Sequence, residues 1–148
     1  MLQQVSLKQA TEFAFQALKA NLVPFLSASP GCGKSAAVHQ LAKRFNLKVI
    51  DIRLAQEDPT ALGGFPSIVN GRSTYAPPER FPLEGDKIPD GYSGFLIFLD
   101  EINSAPRSVI SAAYKIVLDR MIGEKHLHPN VRMIAAGNLA TDNGIVNE

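Results

Sequence analysis

The stretch Ala28-Ser29-Pro30-Gly31-Cys32-Gly33-Lys34-Ser35 decides the fold, because it joins a short apolar run (22–27) to a helical pattern (34–45). Apart from Ala28 in the place of the first glycine, it matches the pattern G-x-x-x-x-G-K-[ST]. The two glycines allow the backbone N–H groups to point at one place, at the positive end of the following helix. An ordinary glycine-rich connection with a solvated Lys34 is the alternative. The strand before and the helix after the stretch favour a phosphate-binding loop.

The residue types of this loop predict the parts of a nucleotide site. Lys34 places a positive charge at the β- and γ-phosphates, and the Ser35 hydroxyl is a ligand for Mg²⁺. Cys32 lies inside the loop, where we interpret it as a tolerated small side chain rather than a redox group. The residues predicted to hold the nucleotide are Ser29, Pro30, Gly31, Cys32, Gly33, Lys34, Ser35 and Ala36.

Two adjacent carboxylates end the apolar run Phe95–Leu99. Neighbouring residues of an extended strand point in different directions, so Asp100 and Glu101 have different tasks. We assign Asp100 to the Mg²⁺ shell beside Ser35, and Glu101 to orienting and activating the attacking water. The alternative is that these acids cap the helix that follows.

A polar amide ends another apolar run, Val131–Ala136, which leads through Gly137 to Asn138. If this strand lies between the loop strand and the acidic strand, Asn138 reaches the γ-phosphate or the attacking water. An asparagine selected only for the turn is the alternative. With the two other motifs present, we predict that Asn138 is a catalytic residue together with Lys34 and Glu101.

The composition is that of a globular chain and excludes several classes. The 148 residues carry 15 Lys+Arg and 14 Asp+Glu, a formal net charge of +1, and 45% are apolar. Such a chain suits one domain, is not disordered, and offers no charge argument for nucleic acid or an anionic membrane. No apolar run is long enough to cross a bilayer and no signal peptide is visible. A single cysteine fits a reducing compartment, so we expect a cytoplasmic protein.

The apolar spacing predicts alternating helices and strands, and therefore an α/β fold with a mainly parallel sheet. Such folds bind ligands at the carboxyl ends of their strands. A short helical turn begins after Asp58, and hairpins are predicted at Ser67–Tyr75, around Asn70-Gly71, and near Met121–Leu127. The predicted helices are 6–21, 34–45 and 102–120, and the predicted strands are 22–27, 47–54, 95–99 and 131–136.

Together these motifs resemble the AAA+ ATPases, and are most similar to the MoxR-like and dynein-related branch. The phosphate loop, the stretch Asp100–Pro106, the stretch Val117–Asn138 and the hairpin inserted after Asp58 carry the resemblance, which covers 23–138. It implies a P-loop NTPase with three α/β/α layers and a sheet ordered 5-1-4-3-2. It also implies ATP and Mg²⁺ as cofactors, ATP hydrolysis, and rings, commonly hexamers, that remodel protein partners. Those partners are often von Willebrand factor A-domain proteins.

The sequence departs from the family in two respects. Ala28 replaces the usual glycine, and the chain ends at Glu148, whereas the family continues with an arginine finger, a fifth strand and a helical lid. We therefore expect 1–148 to be one AAA+ nucleotide-binding core that is incomplete. Arg107, Arg120 and Arg132 do not occupy the finger position. We expect them to be exposed or paired surface charges, although Arg120 is a candidate for facing a neighbouring subunit.

Two alternatives to a protein-remodelling ATPase stay open on the sequence. A module that binds nucleotide without turning it over is consistent with the missing arginine finger, since that residue accelerates hydrolysis by about 10³–10⁵ in related systems. A nucleic-acid motor is the other alternative, but Lys43, Arg44 and Lys48 form only a modest basic cluster.

Overall fold

The computed structural model describes residues 7–28 and 33–138. The predicted cap Ser6 therefore lies outside the described residues, as do Ser29, Pro30, Gly31 and Cys32 of the loop. The helices and strands, in chain order, are α1 (Leu7–Lys19), β1 (Phe25–Ala28), α2 (Lys34–Phe45), β2 (Leu47–Arg53), α3 (Pro59–Gly63), β3 (Phe65–Val69), β4 (Arg72–Ala76), β5 (Gly94–Asp100), α4 (Arg107–Asp119), β6 (Met121–Ile122), β7 (Lys125–His126) and β8 (Val131–Asn138). Short 3-10 turns lie at Leu54–Gln56 and Ile102–Ser104.

Four parallel strands form the central sheet, in the order β1-β8-β5-β2. The acidic strand β5 is buried along its length except at Asp100, as expected for a central parallel strand with both faces covered. The last strand in the chain, β8, is inserted between β1 and β5. This order corresponds to 1-4-3-2 of the predicted sheet, and it confirms the expected place of the Asn138 strand.

Helices cover both faces of the sheet, which confirms the three-layer α/β/α class. Side chains of β5 alternate between the faces: Leu96 and Phe98 pack with α1 and α2 in one core. In the other core, Phe95, Ile97 and Leu99 pack against α4 and α3. Because successive residues of a strand point to opposite sides, one apolar run supplies both cores.

Helix α2 begins and ends where the sequence predicts. Gly33 precedes it with φ 96°, a left-handed backbone that favours glycine. Asn46 ends it, also in the left-handed region, and its N–H donates to the carbonyl oxygens of Ala42 and Lys43. The apolar side of the helix, which includes Val38 and Leu41, is buried against the sheet. Glycine and asparagine thus fix the two ends of the helix that follows the loop.

The insertion between β2 and β5 forms the predicted short helix and hairpin. The Asp58 carboxylate accepts the N–H of Ala61 at 3.0 Å and so caps α3. Strands β3 and β4 pair antiparallel around Asn70-Gly71, both with positive φ, as a two-residue hairpin turn requires. The second hairpin, β6–β7, is also present.

The helix predicted over 102–120 was wrong in its first part. Residues Ile102–Ser104 form a single 3-10 turn, and α4 begins only at Arg107. The reason is Pro106, which restricts the preceding residue to extended conformations; Ala105 accordingly has φ −87° and ψ 154°. The turn and the helix are therefore separate elements.

Within the described part of the chain, no helix has the length and apolar character needed to cross a membrane.

Candidate nucleotide-binding site

The predicted site residues that the structure describes come together at one edge of the sheet, where β1, β8 and β5 end. The register pairs Ala28, the last residue of β1, with Asn138, the last residue of β8. Asp100 ends β5 on the other side of β8. Since parallel strands present their carboxyl ends at the same edge, Asp100 and Asn138 lie at that edge, where Lys34 at the start of α2 contacts Asn138.

Lys34 is held by the end of β8. It is the first residue of α2, and its ammonium nitrogen Nζ lies 2.9 Å from Oδ1 of Asn138 and 3.2 Å from the carbonyl oxygen of Gly137. Both hydrogen bonds are partly buried. The alternative of a merely solvated lysine is therefore wrong for this structure. The two acceptors hold the charge at the point where the two strands end, close to the N-terminus of the helix.

Asp100 is the last residue of β5, whereas Glu101 lies beyond the strand, so the prediction that both acids belong to one extended strand was wrong for Glu101. An oxygen of the Asp100 carboxylate accepts the N–H of Glu101 at 2.8 Å. Glu101 has φ 58° and ψ 37°, a left-handed backbone that is uncommon outside glycine, and its side chain makes no capping hydrogen bond to the turn that follows. The capping alternative is thus wrong for Glu101. The backbone of Glu101 is strained, and the residue is half-buried.

Asn103 is a residue of this site that the sequence reasoning did not single out. Its side-chain Nδ2 donates to the Asn138 carbonyl oxygen at 2.6 Å, and its Oδ1 accepts the Asn138 N–H at 3.1 Å. The only signal in the sequence is its place in the acidic stretch, two residues after Glu101. The contact spans 35 residues of chain, so no local pattern reveals it.

The donor set near the loop fits a Mg²⁺ ion bound with nucleotide phosphates. Ser35 and Ala36 are exposed in the first turn of α2, and the hydrogen bond from Glu101 occupies only one of the acceptor positions of the Asp100 carboxylate. No group of three or more His, Cys, Asp or Glu side chains suited to a metal occurs among residues 7–28 and 33–138. Mg²⁺ commonly takes one or two protein oxygens and completes its shell with phosphate and water, which matches such a sparse set.

Arg120 and Arg132 are paired with backbone carbonyl groups of this chain, one of the two forms expected from the sequence. Arg120 is partly buried, and its Nη2 donates to the Val131 carbonyl oxygen at 2.6 Å. Burial lowers the pKa of Arg120 below its usual range, and the charge of Arg132 lowers it further. The guanidinium of Arg132 donates to the Leu18 carbonyl oxygen and lies 5.5 Å from the Phe45 ring centroid. Arg107 is exposed. Arg120 and Arg132 therefore connect elements of this chain.

Comparison with known proteins gives one family. The model of the "ATPase family associated with various cellular activities (AAA)" matches residues 24–143. No curated protein sequence matches the chain.

Solved structures agree in fold. NtrX from Brucella abortus is 16% identical with a TM-score of 0.57, over 97% of this chain and 33% of its own. Its complex with ADP is 18% identical with a TM-score of 0.55, over 100% and 34%. A variant of RuvB from Thermotoga maritima is 19% identical with a TM-score of 0.57, over 95% and 41%. The chain thus spans about a third to two fifths of the length of these proteins.

Proposed function

Because this chain belongs to the AAA family of ATPases, we propose that it binds ATP with Mg²⁺ at the carboxyl ends of β1, β8 and β5 and hydrolyses it. The observation that carries the proposal is the contact of Lys34 with Asn138, whose atoms Nζ and Oδ1 lie 2.9 Å apart. It joins the lysine of the phosphate-loop motif to the polar end of the neighbouring strand. A γ-phosphate at this point would meet both side chains.

Each residue has a distinct task in this proposal. The residues from Ser29 to Ala36 surround the phosphates, to which all of them except Pro30 offer a backbone N–H group, and Lys34 neutralises charge on the β- and γ-phosphates. Ser35 and Asp100 would hold Mg²⁺, which supplies charge stabilisation to the phosphates when bound. Glu101 takes a proton from the attacking water, and Asn138 orients the γ-phosphate or that water.

Nucleotide affinity tests the loop. We expect Lys34→Ala to weaken ATP binding about tenfold or more, because a charge-assisted contact to phosphate is lost. Lys43→Ala is the matched control, since Lys43 is an exposed lysine in the last turn of the same helix. Calorimetric titration of both variants with ATP measures the difference. Equal affinities in the two variants would contradict the proposed phosphate contact.

Turnover tests the acidic pair separately. Glu101→Gln keeps the size and hydrogen-bonding capacity of the side chain but removes the base. We expect ATP affinity to stay within about threefold and phosphate release to fall about 10²-fold or more. Should the parent protein bind ATP without releasing phosphate under any condition, the chain is a binding module and only the hydrolytic half of the proposal fails.

We further propose that the whole protein is a MoxR-like ring, commonly a hexamer, which acts in the cytoplasm and remodels a protein partner such as a von Willebrand factor A-domain protein. The β3–β4 hairpin supports a protein partner, because three of its apolar side chains, Phe65, Ile68 and Tyr75, are 56%, 73% and 51% exposed. A net charge of +1 gives nucleic acid no comparable support.

Two experiments test these proposals. Light scattering with and without ATP tests the assembly of the ring. Loss of partner capture in Ile68→Ser, with ATP turnover unchanged, tests the hairpin.

A further inference from the structure

Asn103 forms a two-point clamp on the backbone of Asn138. The carboxamide of Asn103 donates to the Asn138 carbonyl oxygen at 2.6 Å and accepts the Asn138 N–H at 3.1 Å. The backbone dictates the orientation of this amide, because a flipped carboxamide would set oxygen against oxygen and N–H against N–H. One side chain thus satisfies both polar groups of the residue that ends β8.

The missing side chain of Gly137 leaves room for the carboxamide of Asn103. A Cβ atom at this position would lie 2.6 Å from Oδ1 of Asn103 and 2.9 Å from its Cγ, and the three nearest atoms all belong to that side chain. Gly137 lies within β8, where the backbone is extended and any residue can adopt it. The absence of a side chain there is therefore explained by the approach of Asn103.

The residue that Asn103 holds, Asn138, also contacts the site lysine, Lys34. The Asn138 side chain accepts a hydrogen bond from Lys34, while its backbone is held by Asn103, and the Gly137 carbonyl oxygen also accepts from Lys34. Asn103 itself lies in the 3-10 turn that Glu101 opens. The turn that follows Asp100 and Glu101 is therefore held to the end of β8, the strand that carries Asn138.

From this arrangement we infer that Asn103 is a positioning residue that fixes Asn138 relative to Glu101 for ATP hydrolysis. The inference rests on the proposed function, in which both residues act on the γ-phosphate and the attacking water. Displacements of about 1 Å in such a constellation cost about 10²-fold in rate. Asn103 acts through Asn138, so it serves the geometry of turnover rather than the affinity for nucleotide.

Hydrogen exchange of the Asn138 backbone amide tests the clamp without any assay of activity. In the intact protein, Asn103→Ala removes the acceptor of this N–H, so we expect its exchange to quicken about tenfold or more. Ser104→Ala is the matched control, since Ser104 is exposed in the same turn. Unchanged exchange of the Asn138 amide in Asn103→Ala would overturn the clamp.

A kinetic test separates positioning from general structural damage. We expect Asn103→Ala to lower kcat about tenfold or more while ATP affinity stays within about threefold. Asn103→Asp keeps the acceptor but sets a carboxylate oxygen against the Asn138 carbonyl, so it should be at least as slow. Ser104→Asp adds the same charge one residue away and should keep the parental kcat. A parallel loss of affinity and kcat in Asn103→Ala would overturn the positioning role.

A double-mutant cycle tests Gly137 and Asn103 together. Gly137→Ala should slow turnover about as much as Asn103→Ala, because the new methyl group displaces the clamp. In the double variant the obstructing side chain is gone, so the two effects should not add. Additive losses would contradict the steric coupling. If the parent protein shows no turnover, the hydrolytic part of the proposed function fails, whereas the exchange experiment still decides the clamp.

Discussion

Glu101 combines the carboxylate that we propose as the catalytic base with a left-handed backbone, φ 58°. A residue with a Cβ atom pays about 1–2 kcal/mol for this conformation. Such strain is kept only where the surrounding structure imposes it, and it is concentrated at functional sites. Here the turn after β5 imposes it, and the acidic side chain gives a reason for a residue other than glycine.

Glu101→Gly should therefore stabilise the fold while it abolishes turnover. Relief of the left-handed strain exceeds the extra entropy of an unfolded glycine, so we expect a gain of about 0.5–1 kcal/mol in the free energy of unfolding. Glu101→Ala is the control, because it removes the same carboxylate but keeps the strain. Urea denaturation measures both. Equal or lower stability of the glycine variant relative to the alanine variant would show that this backbone is not strained.

At the scale of elements, the cap of the short helix α3 depends on ionised Asp58. Its carboxylate accepts hydrogen bonds from the Thr60 hydroxyl and the Ala61 N–H, and these lower its pKa below the usual 3.8. A lowered folded-state pKa contributes stability above the unfolded pKa, and this is lost as the pH falls through the folded value. The cap is thus complete at neutral pH and fails in acid.

Replacement of Asp58 separates the charge from the cap. Asn caps helices nearly as well as Asp, so Asp58→Asn should retain most of the stability at pH 7, whereas Asp58→Ala should lower the urea midpoint. Only the parent protein should lose the contribution of this cap, in the interval below pH 3.8 in which the lowered pKa of Asp58 lies. A stability difference between the parent and Asp58→Asn that does not change over this interval would contradict the assignment.

Elements that are fixed by local signals were predictable, and those that depend on distant contacts were not. Gly33 and Asn46 mark the ends of α2, so its bounds follow from the sequence. Pro106 was visible, but the helical spacing of the residues after it hid the break before α4. The clamp of Asn103 on Asn138 joins residues 35 apart and exists only because β8 is inserted beside β5.

For the molecule as a whole, the sheet separates two cores. Ile134 of β8 packs with α1 and α2 on one face, and Ile116 of α4 packs on the other. Both side chains are buried, with 0% and 2% of their surface exposed. Because strand side chains alternate between the faces, a loss of packing in one core need not disturb the other. The two layers of helices are then coupled through the backbone of the sheet.

Additivity of core substitutions tests this separation. Ile134→Val and Ile116→Val each remove one methylene group, so we expect each to cost about 0.5–1.5 kcal/mol. Their sum should match the double variant within about 0.5 kcal/mol, because the two sites share no packing partner. Leu118→Val is the matched control, since Leu118 lies on α4 with 80% of its surface exposed, and it should change stability by less than about 0.5 kcal/mol. A coupling energy above about 1 kcal/mol between Ile134 and Ile116 would mean that the sheet transmits strain, and that nucleotide-driven movement on one face can reach the other.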